Sequence, residues 1–110
     1  MATCKKGLLG LEGISMNPEP EGTINGAWMP SVVFDESIGI TREKLQKVFA
    51  DQNADARVFF WPLSSLDIFD SVRQNVNSWS IPQRAINLPS YHDLTFNEIA
   101  TIVRIVSALT

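Results

Sequence analysis

The chain has 110 residues, a net charge of −3 and a hydrophobic share of 45%. This length fits one domain with a modest core, and the composition excludes a disordered chain. Nucleic-acid binding would call for a basic stripe, whereas the nine basic residues are scattered. No apolar run approaches the roughly 20 residues of a membrane span, and no secretory signal is visible. We therefore expect one cytoplasmic domain, residues 1–110, that binds neither nucleic acid nor membrane.

The N-terminal half alternates irregular stretches with short predicted elements. Residues 2–13 hold leucines typical of a short helical tail, although their glycines weaken it. Residues 17–27 are rich in Pro, Gly and Asn and predict a loop. Residues 28–34 predict a strand, and the proline within it favours a sheet edge or a bulge. Thr41 is typical of a helix N-cap, and the apolar spacing behind it predicts a helix of about ten residues.

The C-terminal half predicts two further strands and a well-marked last helix. A strand is expected over residues 56–61, a mixed pattern over 63–77, and a short strand over 86–88. Thr95 and Glu98 form a capping box. The helix behind them carries a core-facing stripe made of Phe96, Ile99, Ile102, Val103, Val106 and Leu109. The order predicts a small α/β domain of two α+β layers, in which a sheet of about three strands packs helices on one face.

The run RVFFWPLSSL, residues 57–66, is the most informative stretch. Bulky apolar residues lead into a turn that presents small hydroxyls, and such a strand end can form a pocket wall. Along a strand, Phe59 and Trp61 would share one face and Phe60 would take the other. With helices on one side of the sheet, the second face is expected to be an interface, which Trp28 could join.

Metal and catalytic motifs are weak. His92 and Cys4 are the only residues of their types, and they stand at opposite ends of the chain, so a metal site is not expected. A catalytic triad would have to join His92 to Ser64 or Ser65, and no Gly-x-Ser-x-Gly turn supports it. A surface role suits His92 better. From the residues alone, we predict no catalytic, cofactor-binding or metal-binding residue.

Three stretches, residues 11–36, 57–66 and 84–103, resemble one family in their order and spacing. They are similar to the C-terminal small domain of DegT/StrS-type sugar aminotransferases, which use pyridoxal phosphate (PLP) to aminate keto-sugars on nucleotide carriers. The resemblance covers nearly the whole chain. It implies a short, mainly antiparallel sheet with helices on one side, and it makes residues 1–13 the remnant of an interdomain helix.

The resemblance also assigns roles to residues. In the family, the lysine and phosphate-binding groups that hold PLP lie upstream of this domain. None of the lysines here, Lys5, Lys6, Lys44 and Lys47, stands in that context, so the resemblance implies that this chain does not transaminate alone. The matching strand end faces the sugar-nucleotide cleft. Substrate contacts are therefore implied for Arg57, Phe60, Trp61, Ser64 and Ser65, although many members have histidine in place of Ser64 and proline in place of Asp67.

Three functional hypotheses remain open at this stage. The chain could be a stand-alone interaction or self-association module, with Trp28, Phe60 and Trp61 at its interface. It could instead be the C-terminal part of a PLP-dependent aminotransferase that is active only with the cofactor domain. A module with weak affinity for nucleotide sugars is the third alternative. The expected partner is a second copy, giving a homodimer, or a cofactor-bearing aminotransferase domain.

Overall fold

A four-stranded antiparallel sheet organises the domain. The structure is a computed structural model that describes residues 2–8, 10–26, 28–91 and 93–110. The strands stand in the order β1-β2-β4-β3, and each pairing is antiparallel. Their bounds are Ile14–Met16 for β1, Ser31–Phe34 for β2, Arg57–Val58 for β3 and Ala85–Asn87 for β4. This confirms the predicted α/β class, with one strand more than the expected three.

In the described residues, four α-helices accompany the sheet: α1 (Ala2–Leu8), α2 (Arg42–Asp51), α3 (Val76–Ser80) and α4 (Phe96–Ala108). Thr41 caps α2 by accepting the backbone N–H of Lys44, and Thr95 caps α4 in a complete capping box with Glu98. Both helix starts were predicted from the sequence and are confirmed. No helix in the described ranges combines the length and the apolar character that crossing a membrane requires.

The core lies between the sheet and the helices. Val32 of β2 stands opposite Ile86 of β4, which in turn stands opposite Val58 of β3. Opposite residues of antiparallel strands share a face, and both Val32 and Ile86 are buried. The same cluster takes in α2 and α4 through Leu45, Phe49, Ile102, Ile105 and Val106. The helices thus cover one face of the sheet, as predicted.

Part of the second face is covered by the chain itself. Asn87 points away from the Ile86 side because neighbouring strand residues alternate, yet it is only 2% exposed. Its side-chain oxygen accepts the Ser31 hydroxyl at 2.6 Å, and its amide donates to the Val58 carbonyl at 3.5 Å. Asn17 accepts the Ser31 N–H at 2.8 Å and binds the loop before β2 to the sheet. The sheet therefore does not leave β4 open as an interface.

The strand that was predicted over residues 56–61 ends early, at Val58. Continuing the antiparallel register would place residues 60 and 61 opposite residues 84 and 83. Residues 81–83 form a 3₁₀ turn ahead of β4 instead, so no strand lies there to pair with. The predicted alternation of Phe59, Phe60 and Trp61 across a pleated strand is consequently wrong.

Two other differences have simple causes. β2 begins at Ser31 rather than at Trp28, because Pro30 lacks the N–H that a ladder requires. β1 was not predicted, since it has only three residues. In α4, Phe96 belongs to the first turn and is 79% exposed, whereas Ile105, absent from the predicted stripe, is buried in the core.

Candidate functional site

Exposed apolar side chains concentrate in one stretch. Among the described residues, twelve large hydrophobic side chains are exposed, and eight of them fall in residues 60–76. We call these eight the docking surface: Phe60, Trp61, Leu63, Leu66, Ile68, Phe69, Val72 and Val76. Single exposed hydrophobic residues are ordinary on a protein surface, whereas a large contiguous apolar patch is typical of an interaction site.

Local turns shape this stretch. The backbone N–H of Ser65 donates to the Pro62 carbonyl, Leu66 to Leu63, and Phe69 to Leu66, at 2.8–3.0 Å. Each of these bonds closes a turn between neighbours in sequence and joins the stretch to no strand. Side chains on such a chain of turns have no second layer above them, so they stay exposed.

Two arginines and two tryptophans form an alternating stack beside the docking surface. The guanidinium carbon of Arg42 lies 4.7 Å from the centroid of the Trp61 ring. The Trp61 and Trp79 centroids are 6.4 Å apart with the rings tilted by 45°, and Arg73 lies 3.8 Å from the Trp79 centroid. All three spacings suit cation–π or aromatic attraction. The stack connects α2, the strand end, α3 and the turn before α3.

A cavity of about 540 Å³ opens beside Trp61. Its walls carry charges of both signs, and the lining residues are Glu36, Ile40, Thr41, Arg42, Glu43, Trp61, Ser80, Gln83 and Arg84. The size fits a small-molecule site. Arg84, however, donates to the Phe34 carbonyl at 2.7 Å and lies 3.7 Å from Glu36. Its two terminal nitrogens therefore have partners within the chain, whereas its buried Nε has none among the described residues.

The structure keeps Phe60, Trp61 and Ser64 beside the same stack and turn. Trp61 is 41% exposed and Phe60 is 60% exposed, so both can contact a partner. The Ser64 hydroxyl oxygen is buried and has no hydrogen-bond partner among the described residues, whereas Ser65 is exposed. A buried polar atom without a partner is unusual, and Nε of Arg84 is a second such atom among the described residues.

Arg57 and Trp28, the other predicted site residues, do not belong to the stack. Arg57 is exposed on β3 and pairs with Asp55 at 3.2 Å. It lines a different hollow from the one beside Trp61. Trp28 is 78% exposed in the loop before β2. Within the described part of the chain, its ring makes no contact with the ring of Phe60.

Arg42 and Arg73 are site residues that sequence reasoning missed. Arg42 is the first residue of α2, and its position after an N-cap gives no sign that it faces Trp61. Only the packing of α2 against β3 and β4 brings them together. The tryptophan content of residues 57–80 was the one available signal for the Trp61–Trp79 pair.

The described residues do not fit PLP. An aldimine requires a neutral lysine amine in a pocket. Lys47 is exposed, and its 2.8 Å hydrogen bond to Asp51 raises the pKa of the ammonium group. Lys5 donates to the Asn17 carbonyl at 3.3 Å, and Lys6 and Lys44 are exposed. No step of a transamination is therefore assigned to this chain.

The described ranges hold no cluster of metal-ligating side chains either. There, no three acidic, histidine or cysteine side chains gather as ligands would. His92, for which a surface role is predicted, lies outside the described residues, and so does the side chain of Cys4.

The family profile of the DegT/DnrJ/EryC1/StrS aminotransferases matches residues 1–107. The chain belongs to this family. GDP-perosamine synthase of Vibrio cholerae is 27% identical over an alignment of 99 positions, and the match covers 84% of this chain and 26% of that protein. The chain thus spans about a quarter of the length of this curated relative.

Two solved structures share the fold of this aminotransferase-family domain. The aminotransferase TlmJ of Streptoalloteichus hindustanus superposes with a TM-score of 0.75 at 18% identity, covering 98% of this chain and 29% of that one. A Streptococcus pneumoniae protein assigned as a sugar aminotransferase, solved in its PMP form, gives a TM-score of 0.80 at 15% identity and covers 98% and 28%. The resemblance drawn from the sequence is confirmed.

Proposed function

We propose that this chain forms the noncatalytic small domain of a sugar aminotransferase and acts by docking against the domain that carries PLP. The two domains can belong to one polypeptide or to two. Family membership and the names of the relatives support this assignment. The observation that carries it is the concentration of eight exposed hydrophobic side chains in residues 60–76.

Docking explains the form of this surface. Phe60, Trp61 and Phe69 supply aromatic anchors of the kind that dominate binding energy. The stack with Arg42 and Trp79 holds Trp61 before any partner arrives, which lowers the entropy cost of binding. Interfaces between domains of one chain commonly bury about 600–1,500 Å², and eight large side chains can fill such an area.

The proposed contribution to catalysis is a wall of the substrate site. Phe60 and Trp61 can pack against a substrate, and the hydroxyl of the exposed residue Ser65 can bond to a sugar hydroxyl. The substrate class is a keto-sugar on a nucleotide carrier, as in the resembled family. Since one wall offers few contacts, we expect the isolated chain to bind such a sugar only weakly.

Self-association is the second candidate, and the same surface favours it. When no cofactor domain is present, a second copy of the chain can cover the docking surface. A symmetric dimer is the commonest way for a soluble chain to do so. The two candidates differ in whether the docking surface binds the PLP-bearing domain or a second copy of the chain, and both binding reactions can be measured.

The test is sedimentation of the labelled chain with the cofactor-bearing part of GDP-perosamine synthase, from which the matched segment has been deleted. The PLP absorbance of that part reports that it is folded. We expect a complex with the wild type and with the control Ile24→Glu, which places a charge at a 92% exposed residue outside the docking surface. Trp61→Glu should weaken the complex at least about tenfold. No complex, or equal binding by all three chains, would contradict the proposal.

A further inference from the structure

The segment between β3 and the first turn needs support that the sheet does not give. Ladder pairing ends at Val58, so residues 59–62 have no neighbouring strand. Fixing an unpaired backbone costs conformational entropy that some other interaction must offset. Trp61 belongs to this unpaired segment, and so does Phe60.

Arg42 supplies that interaction. Its side chain is partly buried, and its Nη1 donates to the carbonyl of Phe59 at 2.7 Å and to that of Pro82 at 3.0 Å. Pro82 is itself fully buried, just before β4. The Arg42 guanidinium therefore fastens the unpaired segment to a rigid part of the fold.

The same guanidinium also faces the Trp61 ring at 4.7 Å. It thereby fixes both the backbone of the segment and the orientation of the ring that follows. The Trp61 ring packs against that of Trp79, and the indole N–H of Trp79 donates to the Val72 carbonyl at 2.9 Å. The contacts of one arginine thus reach the far end of the docking surface.

We propose that Arg42 is the positioning residue of the docking surface: it holds residues 59–62 and the Trp61 ring in the orientation in which a partner meets them. Its consequence for binding rests on the proposed function, whereas its consequence for order in the free chain does not. Lysine is a poor replacement, because its ammonium lacks the planar face that the guanidinium lays over the Trp61 ring while Nη1 bonds to both carbonyls.

The experiment measures backbone order parameters by NMR in the full chain and in three variants: Arg42→Met, Arg42→Lys and the control Arg104→Met. Arg104 is an exposed arginine on α4. In the wild type and the control, residues 59–62 should show the value of a rigid backbone, about 0.85. In both Arg42 variants they should fall below about 0.6 and the Trp61 indole resonance should shift, while β4 and α4 keep their wild-type values.

Binding to the cofactor-bearing part is measured on the same samples. If the segment is correctly oriented only a tenth of the time, the apparent Kd rises about tenfold. Wild-type order parameters in residues 59–62 of Arg42→Lys or Arg42→Met would overturn the proposal. Should Arg42→Met fail to fold, the comparison of the order parameters of residues 59–62 in Arg42→Lys with those of the wild type decides the question. Lost order together with no binding by the wild type would sink the proposed function and leave the positioning role standing.

Discussion

The hydroxyl of Tyr91 donates a 2.7 Å hydrogen bond to Glu98 Oε1, and the other carboxylate oxygen, Oε2, accepts the hydroxyl of Thr95. Glu98 Oε2 accepts the Thr95 N–H at 2.6 Å, while the Thr95 hydroxyl accepts the Glu98 N–H at 3.2 Å. Glu98 therefore completes the cap of α4 and ties the preceding turn to it through Tyr91.

Removing the cap should weaken the fold measurably. Thr95→Ala deletes the hydroxyl that satisfies an otherwise unpaired helix N–H, so we expect a loss of about 1 kcal/mol in the free energy of unfolding. The measurement is a urea titration followed by circular dichroism. Thr101→Ala is the matched control, since the Thr101 hydroxyl lies inside α4 and only bonds back to the Asn97 carbonyl. Equal losses from both variants would mean that the cap contributes nothing special.

The same carboxylate makes stability depend on acid pH. The Thr95 N–H, followed by the Tyr91 hydroxyl, holds the pKa of Glu98 below its usual range. A depressed folded-state pKa gives stability that is present above the unfolded pKa, about 4.3, and is lost as the pH falls through the folded value. Glu98→Gln should flatten the acid side of a stability–pH curve, with the exposed residue Glu12 changed to Gln as control. An unchanged acid slope would contradict this linkage.

Gly7 permits a close approach of α1 to α4. A Cβ at this position would lie 2.9 Å from Val103 Cγ2, and the χ1 of valine is stiff in a helix. Gly→Ala in a helix usually stabilises by about 1 kcal/mol, but overpacking costs about 1–3 kcal/mol. We therefore expect Gly7→Ala to lower the urea midpoint.

The double variant Gly7→Ala/Val103→Ala isolates the steric cause of that loss. It should be more stable than the sum of the two single changes predicts, because the second change removes the clash. Gly26→Ala is the control, since nothing lies within 4 Å of its Cβ. Additive single effects would show that the two helices can simply move apart.

The helices were predictable because their signals are local. Thr41 and the pair Thr95 and Glu98 mark where two helices begin, and the structure has both starts. The end of β3 was not predictable, because it depends on the turn that precedes β4 far along the chain. The sequence near Trp61 has the pattern of a strand, but residues 81–83, which would have to pair with it, form a 3₁₀ turn.

The residues of the candidate site likewise include some that the sequence could indicate and others that it could not. The exposed aromatics Phe60 and Trp61 could be expected from a run that is more apolar than a turn usually is. Arg42 could not, since its contacts with Phe59 and Pro82 arise only when α2 packs beside the strand end. Asn87 was equally hidden: its burial depends on Ser31 in a neighbouring strand.

The free chain should associate with itself. With its docking surface uncovered, we expect a homodimer at micromolar concentration, measured by light scattering. Trp61→Glu should be monomeric because it places a charge inside the contact, whereas Ile24→Glu should remain dimeric. A wild type that stays monomeric at high concentration would refute the dimer. A dimer indifferent to Trp61→Glu would place its interface elsewhere.

Turnover by a chimera shows whether residues 60–76 serve an aminotransferase by docking. In the chimera, this chain replaces the matched segment of GDP-perosamine synthase, and the PLP absorbance reports that the cofactor domain is intact. We expect measurable amination by the chimera, at least about tenfold slower with Trp61→Glu and unchanged with Ile24→Glu. Turnover that Trp61→Glu leaves unchanged, or amination by this chain alone with added PLP, would refute the docking role.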